Sequence, residues 1–196
     1  FEASVAGGVP VLTAITGALQ ANNFIEIMGI LNGTTNYILT KMTDEGLSYG
    51  EVLKDAQEKG FAEADPTADV EGIDAANKLS ILMALAFGTH IPPEEIPTVG
   101  ITGVSPEDIK EASDCGKKIK LIGKARLNDG KLEYSVSPVL LDETHPLAGV
   151  SNEFNAVYVT GDMVGELMFY GRGAGPLPTG SAICGDILDI MKRKFR

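Results

Sequence analysis

The chain has 196 residues, 44% hydrophobic and 22% charged, with 23 Gly and 10 Pro. That apolar content excludes a disordered chain, the aperiodic glycines exclude a collagen-like one, and the length suffices for a domain with its own core. Acidic residues outnumber basic ones 27 to 16, and the net charge of −11 at pH 7 argues against nucleic acid or an anionic membrane surface as partner.

The chain opens at Phe1 and enters an apolar, glycine-rich run, as a piece of a longer or processed chain would. No basic segment followed by an apolar stretch signals secretion. Pro10 sits where a first helical position is expected, and Leu12, Ile15 and Leu19 follow at helical spacing. Phe24 to Leu31 is a short β-rich run. Asn32-Gly33-Thr34-Thr35 forms a turn and cap leading into a helix over Tyr37–Met42 that Gly46 stops. Ser48 and Glu51 have capping-box spacing, with Gly60 placed to end that helix. The longest helix is expected over Asp69–Phe87, buried all round from Ile73 onward because nearly every residue there is apolar. Its apolar run, Ile81 to Phe87, is far shorter than the ~20 residues a membrane span needs. Ser105-Pro106 opens a further helix.

The second half changes period. Lys118–Leu127 and Lys131–Val139 flank Asn128-Asp129-Gly130, and Asn155–Thr160 and Val164–Tyr170 flank Gly161-Asp162. These are two hairpins of an antiparallel meander, so the fold class is α+β, with helices packed on a largely antiparallel sheet. A helix from Ser181 to Phe195 closes the chain.

Four segments carry candidate chemistry. Asp74 and Lys78, at i and i+4, fit either a helix-stabilising ion pair or a proton-handling lysine with its carboxylate partner. Glu63, Asp65 and Asp69 on a Pro-stiffened loop fit either an acidic surface with Asp69 as N-cap or a grip on an ammonium group or cation. Gly171 to Ser181 lies between a strand and a helix, where phosphates bind, yet it matches neither the GxGxxG nor the Walker pattern. Glu2 beside Gly7 and Gly8 fits either a simple turn or a carboxylate completing a ring of carbonyls around a monovalent cation. Cys115 and Cys184 lack metal-ligand spacing and read as reduced thiols of a cytoplasmic protein. His90 and His145 read as loop histidines.

Together these segments resemble the homoserine dehydrogenase family, specifically its substrate-binding and catalytic region. The resemblance covers essentially the whole chain, through Glu2–Pro10, Gly29–Ile38, Gly60–Leu79 and Gly171–Asp186. It implies NAD(P)H-dependent interconversion of L-aspartate 4-semialdehyde and L-homoserine, a step toward threonine, methionine and isoleucine. It further implies that Lys78 exchanges the proton at the substrate oxygen with Asp74 as partner. Glu63 and Asp69 would contact the substrate amino group, with Gly33 and Thr34 lining the pocket. Gly171, Gly173 and Gly175 would approach the cofactor. Glu2 and the carbonyls of Val5, Gly7 and Val9 would match a sodium or potassium site.

The sequence departs from the family in having Phe61 where some members carry Tyr, and it contains no βαβ unit with GxGxxG. It therefore reads as residues 1–170, a substrate-binding and dimerising domain, followed by residues 171–196, a glycine-rich loop and helix returning to a Rossmann domain. A homodimer with a small amino-acid substrate is expected, the isolated chain being inactive. Two other readings stay open: a non-catalytic dimerisation or ligand-binding module, and the substrate domain of another amino-acid dehydrogenase.

Overall fold

Local sequence signals set most helix ends. In the computed structural model, which describes residues 1–194, the Asn32 side chain accepts from the Thr35 N–H at 2.9 Å and opens helix α2 (Gly33–Glu45). Gly46, at φ +67°, closes it. Ser48 donates its backbone N–H to Glu51 at 2.9 Å at the start of α3 (Tyr49–Glu58), and Ser105 and Asp108 bond reciprocally at the start of α6 (Pro106–Asp114). The first helix, α1 (Val11–Thr16), begins one residue after Pro10 and ends before Leu19, which is nonetheless buried.

The helix expected over Asp69–Phe87 is instead two, α4 (Thr67–Val70) and α5 (Ile73–Ala86). Gly72 separates them in a left-handed conformation, φ +82°, where a Cβ would come within 2.9 Å of the Thr98 side chain. Nor is α5 buried all round. Ala75, Ala76, Leu79, Ser80, Leu82 and Met83 are buried, whereas Ile73 and Asn77 are exposed, because the sheet covers only one face of the helix. The longest helix is α7 (Pro176–Lys194), which starts five residues before the expected Ser181. Its prolines at 176 and 178 stand in the first turn, where a missing N–H loses no helical bond. Phe195, the expected end of this helix, lies outside the described residues.

The strands are β1 (Phe24–Ile30), β2 (Lys117–Asn128), β3 (Lys131–Asp142), β4 (Phe154–Gly161) and β5 (Gly165–Arg172). Both hairpins form as the turns predict, with Asp129 at φ +49° and Gly130 at φ +77° supplying the primed turn between β2 and β3. They do not form a meander. The order is β3-β2-β1-β4-β5, all antiparallel, with β1 inserted between the hairpins: Met28 lies opposite both Lys124 and Tyr158.

One face of the sheet packs with Leu12, Ile38, Leu79 and Leu82 of the helices into the main core. The other carries a smaller core of Met28, Ile30, Ile122, Ala156 and Tyr158, roofed by Leu147, Ala148 and Val150. At the centre, Gly29 and Gly123 make room for one side chain. A Cβ on either would lie within 3 Å of Leu31, so these glycines let Leu31 sink onto the strands. No helix among the described residues is long and apolar enough to cross a membrane.

Candidate active site

The end of β1 and the first two turns of α5 meet at Leu31. Lys78 donates to the Leu31 carbonyl at 2.9 Å and to Asp74 Oδ2 at 2.6 Å. The two side chains are 20% and 31% exposed, so the pair is half-buried and one ammonium N–H remains beyond the two donated. The helical i, i+4 spacing brings the charges together, and the open β1 end supplies the second acceptor.

Asn32 ties a second carboxylate to this pair. Its Nδ2 donates to Asp69 Oδ1 at 2.7 Å and to Asp74 Oδ2 at 2.9 Å. Asp69 lies inside α4, so its carboxylate is not the N-cap that the sequence also allowed. Gly33 and Thr34 begin α2 beside it, and the Thr34 hydroxyl donates to the Phe61 carbonyl at 2.7 Å.

The acidic loop is held from behind. Gln57 donates to the Glu63 carbonyl at 3.0 Å, and the Tyr37 and Phe61 rings pack 4.7 Å apart. Tyr37 donates to Asp55, which also takes Lys59, and these bonds keep the Asp55 carboxyl below its ordinary range. Asp65, at the surface, accepts from Thr67, whose hydroxyl and N–H lower its pKa. The Glu63 side chain stays exposed.

The glycine-rich and N-terminal segments pack on each other. Gly171 pairs with Asn155 in the sheet, Gly8 N–H donates to the Arg172 carbonyl at 3.1 Å, and a Cβ at Gly7 would lie 2.2 Å from the Gly173 oxygen. Gly175, at φ +118°, is exposed just ahead of α7, so the loop proper is confined to Gly173–Gly175 and Pro176 to Ser181 are helical. Glu2 is buried. Its carboxylate accepts from the N–H groups of Leu12 and Thr13 at 2.8 and 2.7 Å, capping α1. The carbonyl of Val9 accepts from Val11. A separate cavity of about 840 Å³, between α6 and β2–β3, contains none of these predicted residues.

Two residues at the centre escaped the sequence reading of the site. Asn32 was legible only as a cap. Asn155, 1% exposed, donates to the same Leu31 carbonyl that Lys78 uses, at 3.0 Å. Its only signal was an amide within an apolar strand.

Fold and site together define an α+β domain with a lysine–carboxylate centre at the end of its middle strand. The family model for homoserine dehydrogenase matches residues 10–188, and the chain belongs to that family. It is 52% identical to homoserine dehydrogenase of Bacillus subtilis over 98% of this chain and 44% of that protein. It is 48% identical to the Synechocystis enzyme over 97% and 45%. A crystal structure of homoserine dehydrogenase from Thiobacillus denitrificans superposes with a TM-score of 0.95 at 47% identity, over 97% of this chain and 44% of that one. A hyperthermophilic archaeal homoserine dehydrogenase in complex with NADPH superposes with 0.83 at 31% identity, over 98% and 55%. The chain thus spans about half the length of these relatives or somewhat less.

Proposed function

We propose that this chain is the catalytic region of an NAD(P)-dependent homoserine dehydrogenase interconverting L-aspartate 4-semialdehyde and L-homoserine. The observation that carries the reading is Lys78, with two N–H groups committed to Asp74 and Leu31 and a third left for a ligand oxygen. Reduction of the aldehyde turns its oxygen into a hydroxyl. Lys78 Nζ gives up the required proton and takes it back in the reverse direction, while Asp74 steadies the ammonium form. Asp69 in α4 and Glu63 on the braced loop receive the substrate ammonium, for which paired carboxylates are suited. Gly33 and Thr34 line that pocket.

The nicotinamide cofactor supplies or accepts the hydride when bound. Gly171, Gly173 and Gly175 would face it: side-chain-free backbone directly ahead of the α7 N-terminus suits close approach of an anionic dinucleotide. Glu2 with the carbonyls of Val5, Gly7 and Val9 is kept as the proposed sodium or potassium site. What supports it is a buried carboxylate beside a glycine turn, whose oxygens also cap α1. No proton step runs through it.

The division at residue 170 belongs to the same proposal. On α7, Leu177 is 85% exposed, and Ile183, Ile187, Leu188, Ile190 and Met191 are exposed too, as a helix returning to a nucleotide domain would be. Met168 and Tyr170, exposed on the outer sheet face, suit a homodimer contact. A cytoplasmic place in threonine, methionine and isoleucine synthesis completes the reading.

The test is homoserine oxidation by the corresponding full-length protein, followed by nicotinamide absorbance. Lys78→Ala is expected to lower kcat by about 10²–10⁴-fold with a smaller change in KM. Near-normal turnover removes Lys78 from the chemistry. The 196-residue chain alone is expected to give no turnover.

A further inference from the structure

Both acceptors of the Lys78 ammonium are themselves held by buried asparagine amides. Asn32, 5% exposed, donates to Asp74 Oδ2, and Asn155, 1% exposed, donates to the Leu31 carbonyl. Neither amide can be turned over. Asn32 Oδ1 receives both the N–H and the hydroxyl of Thr35, at 2.9 and 3.0 Å, so its nitrogen must face the carboxylates. The Leu31 carbonyl only accepts, so the nitrogen of Asn155 must face it.

A lysine ammonium is a point charge on a flexible four-carbon stem, and its protons have no preferred direction of their own. Two fixed acceptors give them one. We propose that Asn32 and Asn155 are positioning residues that aim the remaining proton of Lys78 at the reacting oxygen. The inference rests on the proton-transfer reading above.

Asn155 also sets this centre against the glycine loop. A Cβ at Gly173 would fall 2.1 Å from Asn155 Cγ, and one at Gly33 would lie 3.6 Å from Asn155 Oδ1, so the amide is enclosed between the two glycines. Its Oδ1, though buried, accepts no hydrogen bond from any described residue. An unmatched buried acceptor destabilises a fold, and an apolar side chain of similar size would fill the space without that penalty. Packing alone therefore does not call for asparagine here. Its hydrogen bond to the Leu31 carbonyl does.

The two asparagines differ in what else they touch. Asn32 also holds Asp69, the proposed ammonium contact, whereas Asn155 holds only the Leu31 carbonyl. In the full-length protein, Asn155→Ala should lower kcat for homoserine oxidation about 10- to 100-fold, the scale of a misplacement of roughly 1 Å. Its KM values for homoserine and nucleotide should stay within about twofold of wild type. Asn155→Ser, which keeps a hydroxyl donor, should recover part of the loss. Asn32→Ala should lower kcat and raise the homoserine KM together, leaving the nucleotide KM unchanged.

Thermal unfolding of each variant identifies those that fold, and if Asn155→Ala does not, the serine and Asn32 variants carry the test. A folded Asn155→Ala variant with kcat within twofold of wild type overturns the inference; where that variant does not fold, a folded Asn32→Ala variant with wild-type kcat does. So does a fall in kcat accompanied by a rise in both KM values and a lowered melting temperature, the mark of a merely structural role. Lys78→Ala in the same assay separates the two levels: wild-type turnover there refutes the proton-transfer reading itself.

Discussion

Lys120 is the most buried charge among the described residues, and burial gives it a pH dependence. It is 3% exposed, and its ammonium donates to Asn36 Oδ1 at 3.0 Å and to the Val150 carbonyl at 2.6 Å, with no ion-pair partner among the described residues. Burial, assisted by the charge of Lys118 and opposed by Asp44, pushes its pKa down from 10.5 to about 8. The unfolded chain keeps this proton up to about pH 10.5, whereas the folded chain releases it near 8. Between those values unfolding takes up a proton, so stability rises with pH by as much as about 1.4 kcal/mol per unit, some 3 kcal/mol in all. Below pH 8 the full penalty of a buried ammonium stands. Lys120→Met keeps most of the stem volume and abolishes the titration, at the expense of an undersatisfied Asn36 oxygen, which costs about 1–3 kcal/mol at every pH. Denaturant unfolding of both proteins between about pH 7.5 and pH 10 is the assay. Subtraction cancels groups that titrate in both, including Tyr158, raised to about 12 chiefly by its hydrogen bond to Glu166. The stability of wild type relative to the variant should grow by about 2–3 kcal/mol across that range. Parallel curves would show that the ammonium is not desolvated and refute the argument.

Other perturbations test the site and its packing. Glu63→Gln or Asp69→Asn should weaken homoserine binding and leave nucleotide affinity intact, as read from separate titrations. Equal losses would point to misfolding. Gly173→Ala should destabilise by about 1–3 kcal/mol in denaturant unfolding, because the new methyl group meets the enclosed Asn155 amide. Gly180→Ala, in α7 with open space around it, should instead stabilise by about 0.5–1 kcal/mol.

What the sequence revealed was chiefly local. Ser48 with Glu51, Ser105 with Asp108, and the Asn128-Asp129-Gly130 turn act within a few residues, and each element formed where its signal lay. The lysine–carboxylate pair was legible for the same reason, since helix geometry alone places Asp74 beside Lys78. The place of β1 was not legible, because its pairing with β2 depends on residues 94 to 100 positions away. The break at Gly72 escaped too: a lone glycine in an apolar helical pattern does not announce the Thr98 side chain that crowds it. Glu2 read as a candidate ligand because nothing nearby in sequence shows that α1 turns its N–H groups toward it. Asn32 and Asn155 carry no titrating chemistry, and their roles exist only through hydrogen bonds spanning 42 and 124 positions.

The insertion of β1 between the hairpins has a kinetic consequence. Each hairpin closes a short loop and can form early, whereas the seam joining them requires β1 to meet strands distant in sequence, a slow step on the scale set by contact order. That strand runs directly into Leu31 and Asn32, which hold Lys78 and Asp74. The lysine centre therefore depends on a long-range closure of the sheet: Lys78 finds its acceptor on Leu31 only where β1 is seated between the two hairpins.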